Sequence, residues 1–497
     1  RIAAIIAVPD DQRTFENTIL AMDDISAHFD RDGSLMAFMG HVHPDAAMRD
    51  AARSREEAWM NWSIDLGKNE ALYAAIKSYA DTNPQLDGEH ARLLQFILRD
   101  YRRAGMGLTP EARLELTSIE KQMNLLSIEF DQNILNDTTT LFLTEEEVAG
   151  MPADYIAGLT RAGDMYALGM DYPTSIPILD HSPNEGTRQK MWLSRRRRAK
   201  ANVDVLEKLL VLRARQANLL GFDHASDFEN EIRMSKNAAT VESFYAQLRP
   251  LLAEKAAEDL ALLTEAKQDA TGDTTATIRP WDFGYWQERV RERDYNVDSN
   301  AIKAYFPFHR VRDGLFKITQ DLYGIDYRPI NPPADAPVWH EDVEYFEVVD
   351  RGTGNTIGEF YMDMYPRENK FGHAAQWGIV PRKVWGDGSV QKPVAALVCN
   401  FPKPTDDRPS LLSHDQAKTF FHEFGHCLHT LLTETETARF SGTSVERDFV
   451  EAPSQMFEAW VWSPETLPLI SGHWETGEPL PTDLLERMIA AKSLSKG

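Results

Sequence analysis

The 497-residue sequence is poor in cysteine and deficient in basic residues. Its two cysteines, Cys399 and Cys427, are too few for a framework of disulfide bonds and are typical of a reducing compartment. Lys and Arg together number 53 against 77 Asp and Glu, which gives a net charge of -24. Such a charge repels phosphate backbones and anionic lipid headgroups, so the sequence argues against binding to nucleic acid or to a membrane surface.

The sequence also lacks long hydrophobic runs. No continuous apolar segment approaches the about 20 residues that a membrane-spanning helix needs. Hydrophobic residues nevertheless make up 42% of the chain, which is enough for large buried cores. The length corresponds to roughly three domains of about 150 residues each. We therefore expect a soluble, monomeric, cytoplasmic protein that interacts with neither membranes nor nucleic acid.

Helical periodicity dominates the first two thirds of the sequence. Apolar residues recur at helical spacing over 114–135 and 205–220, and Gly221 stands where a helix C-cap belongs. A Pro-rich linker follows at 331–337. Beyond it, segments rich in β-branched and aromatic residues predict strands at 343–349, 357–364 and 394–398. The pattern predicts a mainly α fold with a small sheet beside the helices.

An HExxH motif begins at His422. His422 and His426 are four residues apart, so on a helix both imidazoles face the same side and can bind one ion. Ser413 and Gln416 form a capping-box pattern at the start of that helix. Glu423 follows the first histidine and is angled toward a water on the ion, which is the position of a general base.

A third ligand is needed to complete a zinc site of the hydrolytic kind, which takes three protein ligands and leaves one position for water. The downstream candidates are Glu434, Glu436, Glu446 and Glu451. The first two follow the motif too closely to reach its metal face. Spacing leaves Glu446 and Glu451 open, and a helix start at Glu451 favours the latter. His429 faces the metal side, but a third ligand from the same helix would be strained, so we expect a neighbouring, non-ligating histidine.

Several segments together resemble the thimet oligopeptidase family of zinc metallopeptidases, which includes neurolysin, oligopeptidase A and peptidyl-dipeptidase. The resemblance extends over nearly the whole chain. The segments that carry it are HEFGHCLH at 422–429, FSGTSVERDFVEAPSQMFEAWVW at 440–462, FYMDMYPRENKFGHA at 360–374, VWHEDV at 338–343, RPWD at 279–282 and TFENT at 14–18. In the family, the glutamate of the FVEAPSQ segment is the third zinc ligand, which maps onto Glu451.

The resemblance implies a zinc-dependent oligopeptidase that hydrolyses short unfolded peptides. One zinc ion would be held by His422, His426 and Glu451, and it would lower the pKa of a bound water toward about 7. Glu423 would accept the proton of that water and deliver a proton to the leaving amine. Gln455, one turn beyond Glu451, is a candidate hydrogen-bond partner for a metal ligand.

For the architecture, the resemblance implies a two-lobed helical ellipsoid with a deep central channel and a small β-sheet near the HExxH helix. We expect an N-terminal lobe from 1–110 with 300–330, and a catalytic lobe from 111–299 with 331–497. The strand at 395–398 either pairs with the backbone of the substrate or lies buried within the sheet. The sequence does not separate these two interpretations.

The family's oxyanion-stabilising groups, a histidine and tyrosines, lie well C-terminal to the zinc site. No tyrosine follows Glu451, and the sequence stops at Gly497; if these 497 residues are the whole protein, we expect zinc binding with severely reduced turnover. The alternative function is therefore a catalytically incomplete fragment that binds zinc and peptide. A helical scaffold with an accidental motif is a third hypothesis. The choice between endopeptidase and dipeptidyl-carboxypeptidase action stays open.

Overall fold

A computed structural model describes residues 1–135, 137–334, 336–492 and 494 of the chain. Asp335 in the predicted linker and the terminal Gly497 lie outside the described residues. Within the described residues the fold is mainly helical, as predicted.

The α-helices of the described residues are α1 (Ile2–Ala7), α2 (Ala21–Val42), α3 (Ala46–Gly67), α4 (Glu70–Asp81), α5 (Gly88–Arg103), α6 (Pro110–Leu135), α7 (Ala153–Ala157), α8 (Tyr172–His181), α9 (Glu185–Arg197), α10 (Asn202–Leu219), α11 (Ala225–Asn230), α12 (Ala238–Thr271), α13 (Phe283–Tyr295), α14 (Ser299–Lys303), α15 (Phe308–Tyr323), α16 (His414–Leu431), α17 (Glu451–Phe457), α18 (Leu467–Ile470) and α19 (Thr482–Ala491). The β-strands are β1 (Leu141–Leu143), β2 (Thr160–Ala162), β3 (Met165–Leu168), β4 (Ile325–Pro329), β5 (Val343–Asp350), β6 (Thr356–Asp363), β7 (Ala375–Val380), β8 (Lys383–Val384), β9 (Val390–Gln391) and β10 (Val394–Val398).

The chain forms two compact units. The first consists of Arg1–Thr117, Ile232–Met234 and Ser299–Leu480, and the second of Ser118–Glu231, Ser235–Asp298 and Pro481–Gly497. These units group the chain differently from the predicted lobes, because the N-terminal helices share a unit with the HExxH helix. Buried ion pairs such as Asp23 with Lys383, whose Oδ2 and Nζ are 2.7 Å apart, join these distant parts of the sequence.

The first unit contains a five-stranded mixed sheet in the order β4-β5-β6-β10-β7. The predicted strands are confirmed as β5, β6 and β10. Strands β4 and β7 at the two edges were not predicted. Strand β10 runs parallel to β6 and antiparallel to β7, so both of its edges are paired. The interpretation of 395–398 as a strand that pairs with substrate is therefore wrong, and the buried alternative holds.

The two faces of this sheet are covered by different helices. On β6, the Tyr361 ring packs against Trp339, which in turn contacts Phe38 of α2, with ring centroids 5.0 and 5.1 Å apart. The neighbouring Phe360 points to the opposite face and contacts Phe424 of α16 at 5.8 Å. This alternation follows from the two-residue period of a strand. The HExxH helix is thereby packed on a sheet whose central strands β6 and β10 are largely buried.

The second unit is built from helices and a three-stranded sheet in the order β1-β3-β2. The helix predicted over 205–220 is confirmed as α10, and Gly221 has the positive φ of 83° expected after a helix end. Its apolar stripe is only partly buried, because Leu206 and Leu210 are 48% and 55% exposed. The helix predicted over 114–135 is confirmed as α6.

None of the helices in the described part of the chain combines the length and the apolar character that a membrane crossing requires.

Candidate metal centre

Helix α16 carries both histidines of the motif, and its start is capped as the sequence predicts. The Ser413 side chain accepts a hydrogen bond from the Gln416 backbone N–H at 3.1 Å, and the Gln416 side chain accepts from the Ser413 N–H at 2.9 Å. Both bonds satisfy backbone donors that a helix leaves unpaired at its N-terminus. The helix is thus fixed at its first turn. The first histidine of the motif lies about eight residues, or about two turns of α-helix, further along.

The loop that joins α16 to α17 is held by two carboxylates from the N-terminal helices. The backbone N–H groups of 436–439 donate to Glu89 of α5 and to Asp23 of α2, at 2.6–3.1 Å. Lys383 lies 2.7 Å from Asp23 and balances its charge. We call this arrangement the carboxylate clamp. It fixes the path of the chain between the histidines and Glu451.

Helices α16 and α17 approach closely at Gly425. A Cβ atom at this position would lie 2.9 Å from the Ser454 Cα and 3.3 Å from the Phe457 ring. Because real side chains essentially never approach this closely, only glycine permits the observed packing. Glu451 occupies the first position of α17 and is therefore carried toward the histidines.

Three side chains converge on one point. Glu451 Oε2 lies 3.1 Å from His422 Nε2 and 3.0 Å from His426 Nε2, and the three ligand atoms lie within 4.8 Å of one another. A tetrahedral zinc site with bonds of about 2.0–2.1 Å separates its ligand atoms by about 3.3 Å. Two imidazole nitrogens and one carboxylate oxygen are also a donor set that zinc prefers. The residues present therefore fit a zinc ion.

The other predicted candidates lie elsewhere. Glu446 forms an ion pair with Arg92 at 2.9 Å, Glu436 lies 3.3 Å from His90, and Glu434 is exposed. Among the described residues, His422, His426 and Glu451 form the only group of three potential metal ligands whose ligand atoms all lie within 4.8 Å of one another. Spacing left Glu446 and Glu451 open, and the geometry favours Glu451.

His429 does not join the three converging side chains. Its Nδ1 is buried without a hydrogen-bond partner among the described residues. Burial, followed by the nearby charge of His426, lowers the pKa of His429 and keeps the ring neutral. This placement agrees with the expectation of a neighbouring, non-ligating histidine.

Glu423 is a buried carboxyl beside the converging ligands. Burial raises the pKa of Glu423 to about 7, His422 opposes the rise, and the charge of Glu451 adds to it. The nearby backbone of Gln376 in β7 makes a smaller contribution that lowers the pKa of Glu423. A carboxyl that titrates near neutral pH is suited to take up and release a proton at that pH.

The pKa values of His426 and Glu451 are shifted in directions that suit metal binding. Burial lowers the pKa of His426, although the charge of Glu451 opposes the shift, so the imidazole favours the neutral form that binds metals. Burial raises the pKa of Glu451, but the Ser454 hydroxyl and the two histidines outweigh it and leave the pKa below its ordinary value. Glu451 is therefore ionised at neutral pH.

Sequence reasoning missed one residue of the site. Glu458 Oε1 lies 2.8 Å from His422 Nδ1, on the side of the ring that faces away from Glu451. Gln455, the predicted hydrogen-bond partner, is exposed. The sequence could have pointed to Glu458, because a residue seven positions after Glu451 lies about two turns along the same face of a helix.

A comparison with protein families bears on the same region. The model of a family described as peptidase family M3 matches residues 178–497, which include every residue of the metal centre. The chain belongs to peptidase family M3.

Relatives of this M3 chain extend the match to its N-terminal part. It is 36% identical to a thimet-like oligopeptidase from Dictyostelium discoideum over 99% of this chain and 75% of the relative. It is 33% identical to oligopeptidase A from Escherichia coli over 97% of this chain and 73% of the relative. It is 30% identical to saccharolysin from Saccharomyces cerevisiae over 93% of this chain and 67% of the relative. Membership of the family supports the predicted peptidase activity.

A solved structure supports the fold assignment of the M3 chain. The structure, described as an oligoendopeptidase F from Bacillus anthracis, superimposes with a TM-score of 0.53 over 98% of this chain and 72% of the other. The sequence identity is 12%, so the similarity concerns the fold alone. The predicted mainly α fold with a small sheet near the HExxH helix is confirmed.

Proposed function

We propose that this M3 peptidase is a zinc-dependent oligopeptidase that hydrolyses short unfolded peptides. The observation that carries the proposal is the convergence of His422, His426 and Glu451 on one point, with the buried carboxyl of Glu423 beside them. Its relatives from Dictyostelium discoideum and Escherichia coli are named as oligopeptidases, which supports the substrate class. The proposal includes the expected monomeric state and a cytoplasmic location, for which the two free, buried cysteines offer support.

The three converging residues would hold one zinc ion. When bound, zinc supplies a Lewis acid that polarises the scissile carbonyl and lowers the pKa of a water toward about 7. The neutral state of His426 and the ionised state of Glu451 are the forms that metal binding requires. No proton therefore has to leave these two side chains before the ion binds at neutral pH.

Glu423 would act as the general base and then as the general acid. Its ionised carboxylate takes a proton from the attacking water, and the resulting carboxylic acid donates that proton to the amine of the leaving peptide. Because burial brings its pKa to about 7, both protonation states are accessible at neutral pH.

Strand β7 would bind the backbone of the peptide. It is the last strand of the sheet, and no described strand pairs with its outer edge. It also carries Gln376, whose backbone lies close enough to Glu423 to lower the pKa of that carboxyl, so a peptide paired along β7 would pass beside the general base. Pairing through main-chain hydrogen bonds tolerates many sequences, as an oligopeptidase requires.

The experiment is to measure cleavage of an internally quenched fluorescent peptide together with the zinc content of the same samples. Glu423→Gln preserves the shape of the side chain but cannot accept a proton, so we expect zinc to remain bound and cleavage to fall by at least about 100-fold. Glu434→Gln, which changes an exposed glutamate outside the site, is the matched control and is expected to behave like the wild type.

Three outcomes would count against the proposal. Cleavage by Glu423→Gln at the wild-type rate would remove Glu423 from the mechanism. Full cleavage by wild-type protein stripped of metal would remove the zinc. A wild-type protein that binds zinc and peptide without cleaving would instead support the catalytically incomplete alternative.

A further inference from the structure

The imidazole of His422 is held on both sides by carboxylates. Its Nε2 faces Glu451 Oε2 at 3.1 Å, and its Nδ1 faces Glu458 Oε1 at 2.8 Å. Glu458 does not belong to the group of three converging ligands. Its side chain is 30% exposed, compared with 53% for Glu451, and its hydrogen bond with His422 is partly buried. Glu458 therefore contacts the ring from behind the metal position.

The contact with Glu458 determines which nitrogen of His422 carries the proton. An ionised carboxylate can only accept hydrogen bonds, so Nδ1 must be the donor in this contact. In a neutral imidazole the other nitrogen, Nε2, is then left with a free lone pair directed at the metal position. The contact also prevents rotation of the ring about its χ2 angle.

His426 lacks an equivalent contact. Its Nε2 lies 3.0 Å from Glu451 Oε2, like that of His422, but its Nδ1 is buried without a hydrogen-bond partner among the described residues. The two histidine ligands are therefore held differently. At the Nδ1 side, packing alone orients His426, whereas the Glu458 carboxylate contacts the Nδ1 of His422.

The segment that carries Glu458 is itself firmly anchored. Glu458 begins the 3-10 helix Glu458–Trp462, which continues directly from α17. The Trp460 ring packs on Phe457, with centroids 4.5 Å apart, and the Val461 carbonyl lies 2.9 Å from His414 Nε2 at the start of α16. The packing of Trp460 on Phe457 and the contact of Val461 with the start of α16 thus hold Glu458 beside His422.

We infer that Glu458 is a positioning residue that fixes the tautomer and orientation of His422 and thereby sets the affinity of the centre for zinc. The inference rests on the proposed function, because it assumes that the centre binds zinc. A carboxylate that hydrogen-bonds the second ring nitrogen of a ligating histidine generally raises metal affinity by about 10- to 100-fold.

The test is the zinc dissociation constant of the full chain, measured by competition with a chromogenic chelator. We expect Glu458→Ala to weaken zinc binding by about 10- to 100-fold. Glu458→Gln keeps an amide oxygen that can accept the Nδ1 hydrogen bond, so it should restore most of the affinity. Glu465→Ala changes an exposed glutamate seven residues further along the chain and should leave the affinity unchanged.

The thermal stability of the metal-free variants separates positioning from a general structural role. A positioning residue predicts metal-free melting temperatures that differ little between wild type, Glu458→Gln and Glu458→Ala, while their zinc affinities differ. Wild-type zinc affinity in Glu458→Ala would overturn this inference and leave the proposed function intact. A wild-type chain that binds no zinc would overturn both.

Discussion

Buried carboxyl groups in this protein differ in whether a cation neutralises them. Asp363 is fully buried, yet ion pairs with Arg367 and Lys370 at 2.7 and 2.8 Å overcome the effect of burial and keep its pKa below the ordinary value. At Asp30 of α2, no cation contributes to the pKa shift. Burial, together with the charge of Asp23, raises the pKa of Asp30 to about 6. The ionised form of Asp30 therefore destabilises the folded chain.

We predict that Asp30→Asn stabilises the protein at neutral pH. The folded chain holds its Asp30 proton more tightly than the unfolded chain, so stability is lost as the pH rises from 3.8 to about 6. Removing the charge should raise the free energy of unfolding by about 1–3 kcal/mol at about pH 7.5, and by less at about pH 5. Urea unfolding of wild type and variant at both pH values measures the difference. An equal change in the free energy of unfolding at both pH values would contradict the prediction. The same gain in stability from the exposed substitution Asp11→Asn would also contradict it.

Residues whose positions depend on local structure could be predicted from the sequence. His422, His426 and the capping pair of α16 belong to one helix, whose period fixes which side chains share a face. Glu458 could not be assigned with the same certainty, because its contact with His422 depends on how two separate helices cross. The close approach at Gly425 that sets this crossing is a tertiary feature without a local sequence signal.

The packing of α16 on α17 leads to a prediction at the level of elements. Gly425→Ala places a methyl group 2.9 Å from the Ser454 Cα, so α17 must move and carry Glu451 away from the histidines. We expect the free energy of unfolding to fall by about 1–3 kcal/mol, and zinc binding to weaken by at least about 10-fold. Denaturant unfolding and chelator competition measure the two effects.

The control for this substitution is Gly386→Ala, because a Cβ atom at Gly386 would meet nothing within 4 Å and its φ is not positive. This variant should keep wild-type stability and zinc affinity. If Gly425→Ala bound zinc as tightly as the wild type, the close approach of α16 and α17 would not be what positions Glu451.

The carboxylate clamp provides a second test at this scale. Glu89 accepts hydrogen bonds from the Glu436 and Thr437 backbone N–H groups and from the Thr437 hydroxyl. In Glu89→Ala these partly buried donors lose their acceptor, which should lower the free energy of unfolding by about 1–3 kcal/mol. Hydrogen exchange of the 436–439 amides should accelerate. The exposed Glu57→Ala is the control, and unchanged exchange at 436–439 would show that the clamp is not needed.

The strands of the five-stranded sheet differ in whether their composition predicts them. Strands β5, β6 and β10 are apolar and buried, and their composition revealed them. Strand β7 contains Gln376 and Gly378 and is mostly only partly buried, so its composition resembles a loop. Strand order is set by long-range pairing, which is why the interpretation of 395–398 as the exposed strand was wrong.

For the molecule as a whole, the division into two compact units predicts separate responses to mutation. In the second unit, Asp282 is fully buried and binds Arg188 at 2.6 Å and Lys267 at 2.7 Å. Asp282→Ala leaves two buried cations without their shared carboxylate, which should destabilise this unit by about 3–5 kcal/mol. Every proposed metal ligand lies in the first unit, so zinc affinity should change little.

Hydrogen exchange followed by mass spectrometry measures this response along the whole chain. Faster exchange in Asp282→Ala is expected over 118–231 and 235–298, with little change over 299–480. The exposed Glu258→Ala on α12 is the control and should leave the exchange pattern unaltered. Equal acceleration over the residues of both units would show that they unfold as one body.

The fold class of the whole molecule could be predicted from the sequence. Helical periodicity is a property of each segment, and it indicated a mainly α chain correctly. The boundaries between compact units depend on contacts between distant segments, such as those of Asp23 and Glu89 with the loop before α17. The predicted channel and lobes stay predictions.

The measurement that tests the central claim most directly is the zinc content of the purified chain and of its ligand variants, determined by mass spectrometry of the metal. Wild-type protein should hold about one zinc per chain, as a centre with three protein ligands does, and Glu451→Ala should hold almost none. Glu446→Ala, which removes the competing candidate, should retain the wild-type content. A wild-type chain without zinc, or full zinc in Glu451→Ala, would contradict the assignment of this metal centre.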